Sequence, residues 1–401
     1  MLKSMAITNF HSIGEKQELS FEIKPKEALD DSARLHESEK YINTVSCIIG
    51  ANASGKTNFI KALSFISWFV KDSYESLKVE RSIPLELHKL KKDECCSIEL
   101  EFYEKAILYR YSIELNKKQV LKEKLEKKVS EPRAKFSCVF ELTRNGGEAK
   151  IKTPAFKMNK DDWERIKLRS NISLLSALLV LGYLPEITFF SKLRSNVSQS
   201  GRNDYIDFFG FSKNLSYNEQ LQDELLSFSN EIDLGIKGFS FKEVTLRSSQ
   251  NPEDEIKQKM LLCLHTSANG DFYLPIHEES EGTQKGYFVL YNVLPILKKG
   301  GTVFIDEIEG GLHPYVAKKI ISLFENKETN PHNAQLVFST HQHLLLNDRT
   351  KTQIFITEKN LNTLESEIYR LDDVEDVRND ENYFHKYMAG AYGGTPNIKW
   401  F

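Results

Sequence analysis

Gly50-Ala51-Asn52-Ala53-Ser54-Gly55-Lys56-Thr57 is an uninterrupted Gly-x-x-x-x-Gly-Lys-Thr phosphate loop, set between a strand-like run at residues 44–49 and a helix-like run at 58–70. The glycines let successive backbone N–H groups turn toward one anion, and the N-terminus of the following helix adds the positive end of its dipole. In this pattern Lys56 reaches the β- and γ-phosphates of a nucleotide and Thr57 binds Mg²⁺. Asn58 closes the motif on its helix side. An ordinary Gly/Ser turn before a helix would not need every fixed position filled.

Downstream, Thr302-Val303-Phe304-Ile305-Asp306-Glu307 is an apolar, β-rich run ending in two acids. Buried parallel strands read as continuous apolar runs, and in open α/β sheets ligands lie beyond their carboxyl ends. Asp306 is therefore expected to hold Mg²⁺, directly or through water, and Glu307 to orient and deprotonate the attacking water. Gln335-Leu336-Val337-Phe338-Ser339-Thr340-His341 is a second such strand, with a His at its end that could hydrogen-bond water or a γ-phosphate oxygen. His343 completes a His-x-His pair, but with no further ligand nearby zinc is discounted. Glu279-Ser280-Glu281-Gly282-Thr283-Gln284 precedes a helix-like run at 287–297; Ser280 there is a helix N-cap and a second anion-binding end, a weak signal alone.

The chain has 401 residues, 40% hydrophobic and 28% charged, enough for a normal globular core, and its formal net charge of −3 argues against a surface uniformly adapted to nucleic acid. Cys47, Cys95, Cys96, Cys138 and Cys263 show no metal-binding spacing and read as reduced thiols in a cytosol. No run is long enough to span a bilayer and no secretion signal is evident, so a cytoplasmic protein without membrane contact is expected. Two strands, at 2–10 and 17–23, precede the phosphate loop, and 25–40 reads as a polar loop. Strand patterns at 97–103, 107–115 and 136–143, with Asn145-Gly146-Gly147 as a turn, suggest an antiparallel meander. The Lys-rich stretch 117–135 reads as a solvated hairpin or helix face. Helical patterns at 163–181 and 217–232, separated by 191–203, suggest an inserted lobe, after which strand patterns resume at 236–246, 258–266 and 272–276.

The fold expected is α/β: a P-loop core with an antiparallel β-meander and an inserted helical lobe. Its expected divisions are 1–152 (phosphate loop and meander), 153–235 (helical lobe), 236–370 (signature, acid strand and strand-end His) and 371–401 (tail).

The order of these pieces resembles ABC-type ATPases of the RecF/SMC/OLD branch over nearly the whole chain. More narrowly, Ile7-Thr8-Asn9-Phe10-His11-Ser12-Ile13, Asp306-Glu307-Ile308-Glu309 followed by Leu312-His313-Pro314, and the tail Tyr392-Gly393-Gly394-Thr395-Pro396 look like the compact OLD-like ATPases of bacterial phage-defence operons, such as those of PARIS and RloA-type systems. The resemblance implies an ATPase using ATP and Mg²⁺. Gly50, Ala51, Asn52, Ala53, Ser54, Gly55, Lys56, Thr57 and Asn58 would bind nucleotide, Thr57 and Asp306 the metal, and Glu307 and His341 would act in catalysis. Ser280, Gly282 and Thr283 would act in trans, within a homodimer or larger homo-oligomer. Glu281 stands where many relatives carry a small residue, and the usual metal-contacting Gln is not assignable, so slow hydrolysis is expected. The chain is too short for the Toprim domain of OLD nucleases, which implies a separate effector, such as a Toprim nuclease, and a phage-encoded trigger. Two alternatives are a RecF/SMC-like repair ATPase binding DNA directly and a scaffold that holds ATP with little turnover.

Overall fold

The strand Val45–Gly50 is buried at every position because it lies inside a six-stranded sheet with apolar layers on both faces. The computed structural model describes residues 1–28, 32–35, 40–129, 134–145, 148–197, 207–232, 234–247 and 255–396. The sheet order is Leu193–Ser195, Thr302–Ile305, Gln335–Ser339, Val45–Gly50, Ile354–Lys359, Ser366–Arg370. The first five strands run parallel and only Ser366–Arg370 is antiparallel. Parallel order brings five carboxyl ends, after Ser195, Ile305, Ser339, Gly50 and Lys359, to one edge of the sheet. That is where residues remote in sequence meet.

Side chains alternate along a strand, so the sheet feeds two cores. Val45, Cys47 and Ile49 enter one with the helices Glu281–Lys299 and Pro314–Glu325; Ile48, Phe304 and Val337 enter the other with the phosphate-loop helix Lys56–Ser76. That helix is sandwiched, its second face meeting a seven-stranded antiparallel sheet ordered Glu148–Lys152, Ser137–Asn145, Val120–Val129, Ile107–Leu115, Cys96–Glu104, Leu2–Thr8, Gln17–Ser20. The fold is thus mixed α/β with a large antiparallel sheet, as the sequence pattern implies.

Several local expectations change. The Lys-rich stretch is a hairpin strand with one outward face, and it lies in the interior of the antiparallel sheet: Val120–Val129 pairs with Ile107–Leu115 on one side and Ser137–Asn145 on the other. Its outward lysines pair with acids, Lys122 with Glu114 and Lys124 with Glu126, both at 2.7 Å. Its inward positions are Glu123 and Leu125, both fully buried. Within 25–40, the described residues include the strand Ala33–Leu35, paired with Tyr41–Asn43. The helical pattern at 163–181 resolves into two helices, Lys160–Lys167 and Leu174–Val180, each N-capped by a side chain, Asn159 and Ser173. Their apolar faces join the core of the phosphate-loop helix, whereas Phe208–Ser216 and Glu219–Glu231 join the other core. Of the expected turn, Gly146 and Gly147 lie outside the described residues, as do 198–203 of the stretch 191–203. Gly238–Arg247, Glu255–Ser267 and Gly270–Pro275 form a separate antiparallel sheet leading into the helix that Ser280 caps. Among the described residues, no helix is long and apolar enough to cross a membrane.

Candidate nucleotide site

The chain reverses at the end of Val45–Gly50 and enters Lys56–Ser76 through Gly55, whose φ of 112° lies where side-chain-bearing residues rarely go. A Cβ at Gly55 would also collide with the Ser366 hydroxyl. Gly55 offers no side-chain cap and the first helical turn holds no acidic residue, so this helix N-terminus is left open to an anion. Lys56 is 5% exposed, and its Nζ donates to the carbonyl oxygens of Gly50 at 2.9 Å and Ala51 at 3.1 Å. Burial lowers its pKa, opposed by the charges of Asp306, Glu307 and Glu309. A cleft of about 520 Å³ opens over the loop, lined by Asn52, Ala53, Gly55, Lys56, Thr57 and Asn58 together with Ser12, Glu307, His341 and Lys359. Its size is that of a small-molecule site.

The acid strand delivers its two carboxylates differently. Asp306 is 9% exposed, and its Oδ1 accepts from Thr57 Oγ1 at 3.2 Å and Ser339 Oγ at 2.5 Å. Burial raises its carboxyl pKa, those two hydrogen bonds oppose the rise, and the Glu307 charge adds to it. Oxygen donors of this kind suit a hard divalent cation. Glu307 takes a left-handed φ of 49°, uncommon for a residue with a Cβ, and its N–H donates to Ser339 Oγ at 2.8 Å. The turn aims its carboxylate outward. Oε1 stands 3.5 Å from His341 Nε2, with both side chains about half exposed. Glu309 holds the loop after Gln335–Ser339, accepting from His341 N at 2.6 Å and Thr340 Oγ1 at 2.7 Å.

The remaining expected residues lie elsewhere. Ser280 caps its own helix, accepting from Thr283 N at 3.2 Å, and its hydroxyl meets Thr283 Oγ1 at 2.8 Å. Neither they nor Gly282 line the cleft. Gly282 packs so closely on the loop after the acid strand that a Cβ would stand 2.7 Å from Gly311 O. Glu281 pairs with Lys285 at 2.7 Å, one helical turn on, and the ammonium holds its carboxyl below the usual range.

Sequence reading missed several partners. Asn196, just beyond the edge strand Leu193–Ser195, brackets Asp306: its Oδ1 accepts from Asp306 N at 2.8 Å and its amide donates to Asp306 O at 2.9 Å. Ser12 accepts from Asn58 Nδ2 and meets Ser366 Oγ, both at 2.6 Å, so the turn after the first strand braces the loop helix. Thr357 meets Ser54 Oγ at 2.6 Å, tying the loop to the neighbouring strand. No sequence pattern marks them: the strand before Asn196, Leu193-Arg194-Ser195, carries a single apolar residue.

Solved structures similar over most of the chain include the SMC head domain from Thermotoga maritima (15% identity, covering 92% of this chain and 98% of that one, TM-score 0.39). Others are an SMC head bound to the C-winged helix domain of ScpA (12%, 94% and 99%, 0.44) and the recombination mediator protein RecF with ATP (15%, 85% and 91%, 0.34). No curated protein sequence matches the chain. A family model matches residues 45–347, well over half the sequence, from the phosphate-loop strand past the strand-end His. The chain therefore belongs to the family described as "AAA domain, putative AbiEii toxin, Type IV TA system".

Proposed function

We propose that the chain is an ATPase whose two copies close head to tail over ATP, acting as the nucleotide-gated scaffold or sensor of a cytoplasmic anti-phage system that controls a separate effector. The observation carrying this reading is the convergence on one cleft of Lys56, Thr57, Glu307 and His341, with Asp306 3.2 Å from the Thr57 hydroxyl. In it, residues 50–58 cradle the phosphates and Lys56 exchanges its two carbonyl contacts for phosphate oxygens. Thr57 and Asp306 would hold a Mg²⁺ ion, which when bound neutralises charge developing on the phosphates. Glu307 takes the proton of the attacking water, and His341 steadies that water or the γ-phosphate. Ser280, Gly282 and Thr283, remote from the cleft of their own chain, serve the partner's nucleotide. Closure adds charge-assisted hydrogen bonds of about 1.5–3 kcal/mol each, and hydrolysis removes them.

The toxin named in the family's description agrees in kind with a defence role, in which the effector, a Toprim nuclease or another poison, is a different polypeptide. The Glu281–Lys285 pair supports turnover over mere ATP retention, because the charge that would have opposed the partner's phosphates is compensated. Mass photometry during ATP titration tests the proposal: wild type should assemble transiently and Glu307→Gln should accumulate as closed dimers or larger rings. Identical mass distributions with and without ATP in both proteins would overturn it.

A further inference from the structure

The segment after the antiparallel edge strand returns to the back of the nucleotide cleft. Its helix Tyr383–Met388 places the Tyr387 ring 4.9 Å from that of His343, two residues beyond the switch His341. Tyr387 is 1% exposed, and its hydroxyl donates to Gly394 O at 2.8 Å. Gly394 N in turn donates to Glu358 Oε1 at 2.5 Å, and Tyr369 OH donates to Tyr392 O at 2.7 Å, so the tail is bonded to both strands at this edge of the core sheet. A Cβ at Gly394 would collide with Ile356, the neighbour of the Thr357 that grips Ser54 of the phosphate loop. A Cβ at Gly393 would likewise meet the Tyr369 hydroxyl and Glu358, so each glycine of the tail pair has its own steric reason.

From Tyr387 the contacts run without a gap to the cleft. His343 N donates to His341 O at 3.1 Å, and His341 faces Glu307 at 3.5 Å. The His343 Nε2 is buried with no hydrogen-bond partner among the described residues, and the ring packs on Tyr387.

We propose that the C-terminal segment is a positioning element for the hydrolytic step: the Tyr387–His343 ring contact, together with Glu309, holds the loop after Gln335–Ser339 so that His341 faces Glu307, and displacing the tail slows hydrolysis while ATP binding at Lys56 persists. This rests on the ATP site proposed above. Tyr387 and His343 are positioning residues. The test uses the full chain, with steady-state phosphate release, affinity for a fluorescent ATP analogue and melting temperature read for each variant.

His343→Ala and Tyr387→Leu should each lower kcat by about tenfold, with nucleotide affinity held within about twofold. The double variant should be no slower than either single one, because the two rings make one contact. His343→Phe, which restores a ring, should recover kcat. The proposal is overturned if His343→Ala turns over like wild type, or if melting temperature falls while kcat stays. It is also overturned if His343→Phe is as slow as the alanine variant, which would make the imidazole itself the active part. A wild type that neither binds the analogue nor releases phosphate would remove the ATP site itself, and this inference with it.

Discussion

Asp306 is a buried carboxylate whose charge its surroundings disfavour. Burial raises its carboxyl pKa from the ordinary value of 3.8, with hydrogen bonds from Ser339 and Thr57 opposing the rise. For a group raised on folding, both states are protonated below the ordinary value and nothing is lost. As pH climbs through the raised value, the unfolded chain gives up the proton more readily and the native state loses stability. Asp306→Asn keeps an oxygen for both hydroxyls and removes the titration. The nucleotide-free variant should therefore melt above wild type at neutral pH and converge with it below the ordinary aspartate range, while losing Mg²⁺-dependent turnover. Melting curves across a pH series check this; a constant offset at every pH would contradict it. The gain in stability at the cost of function is the pattern expected of a site residue.

At the scale of elements, the buried Glu123 joins the antiparallel sheet to the helix Leu174–Val180. Its carboxylate accepts from Ser173 Oγ at 2.7 Å, Leu174 N at 2.6 Å, Leu175 N at 2.9 Å and Tyr111 OH at 3.0 Å. Burial raises its pKa and those four bonds oppose the rise. Glu123→Leu strands all four donors, and denaturant unfolding should show a loss of about 3 kcal/mol or more. Glu123→Gln, keeping acceptor capacity, should lose less. A Glu123→Leu protein as stable as wild type would show that water or rearrangement satisfies those donors.

The same strand shows where sequence reading stops. Val45–Gly50, Thr302–Ile305 and Gln335–Ser339 were legible because strands buried on both faces are apolar throughout. Val120–Val129 was not, since Lys122 pairs with Glu114 of the neighbouring strand, Lys124 with Glu126 of its own, and its inward Glu123 is satisfied by a helix about fifty positions on. Lys56, Asp306, Glu307 and His341 could be named because each sits in or just beyond a recognisable run. Asn196, Ser12 and Thr357 could not: their neighbours are set by sheet order, which a linear pattern does not print.

For the whole molecule, one edge of a parallel sheet gathers Lys56, Thr57, Glu307 and His341 around one cleft, while Ser280, Gly282 and Thr283 stand at the start of a helix outside it. On the proposed reading a lone copy would be incomplete, and a two-fold dimer would make two sites, each from one phosphate loop and one Ser280–Thr283 segment. The direct DNA-binding alternative would draw on exposed basic residues, and on the antiparallel sheet Lys122, Lys124 and Lys152 are each paired with a glutamate.

Subunit mixing tests the shared site most directly. Lys56→Ala should be inactive through its own phosphate loop, and Ser280→Arg through the signature it offers its partner. In a mixed dimer, one site combines the intact Lys56 of one copy with the intact Ser280 of the other. An equimolar mixture should regain up to about a quarter of wild-type phosphate release, by statistical pairing in a two-fold dimer. No recovery at any mixing ratio, or full activity of Ser280→Arg alone, would contradict the account.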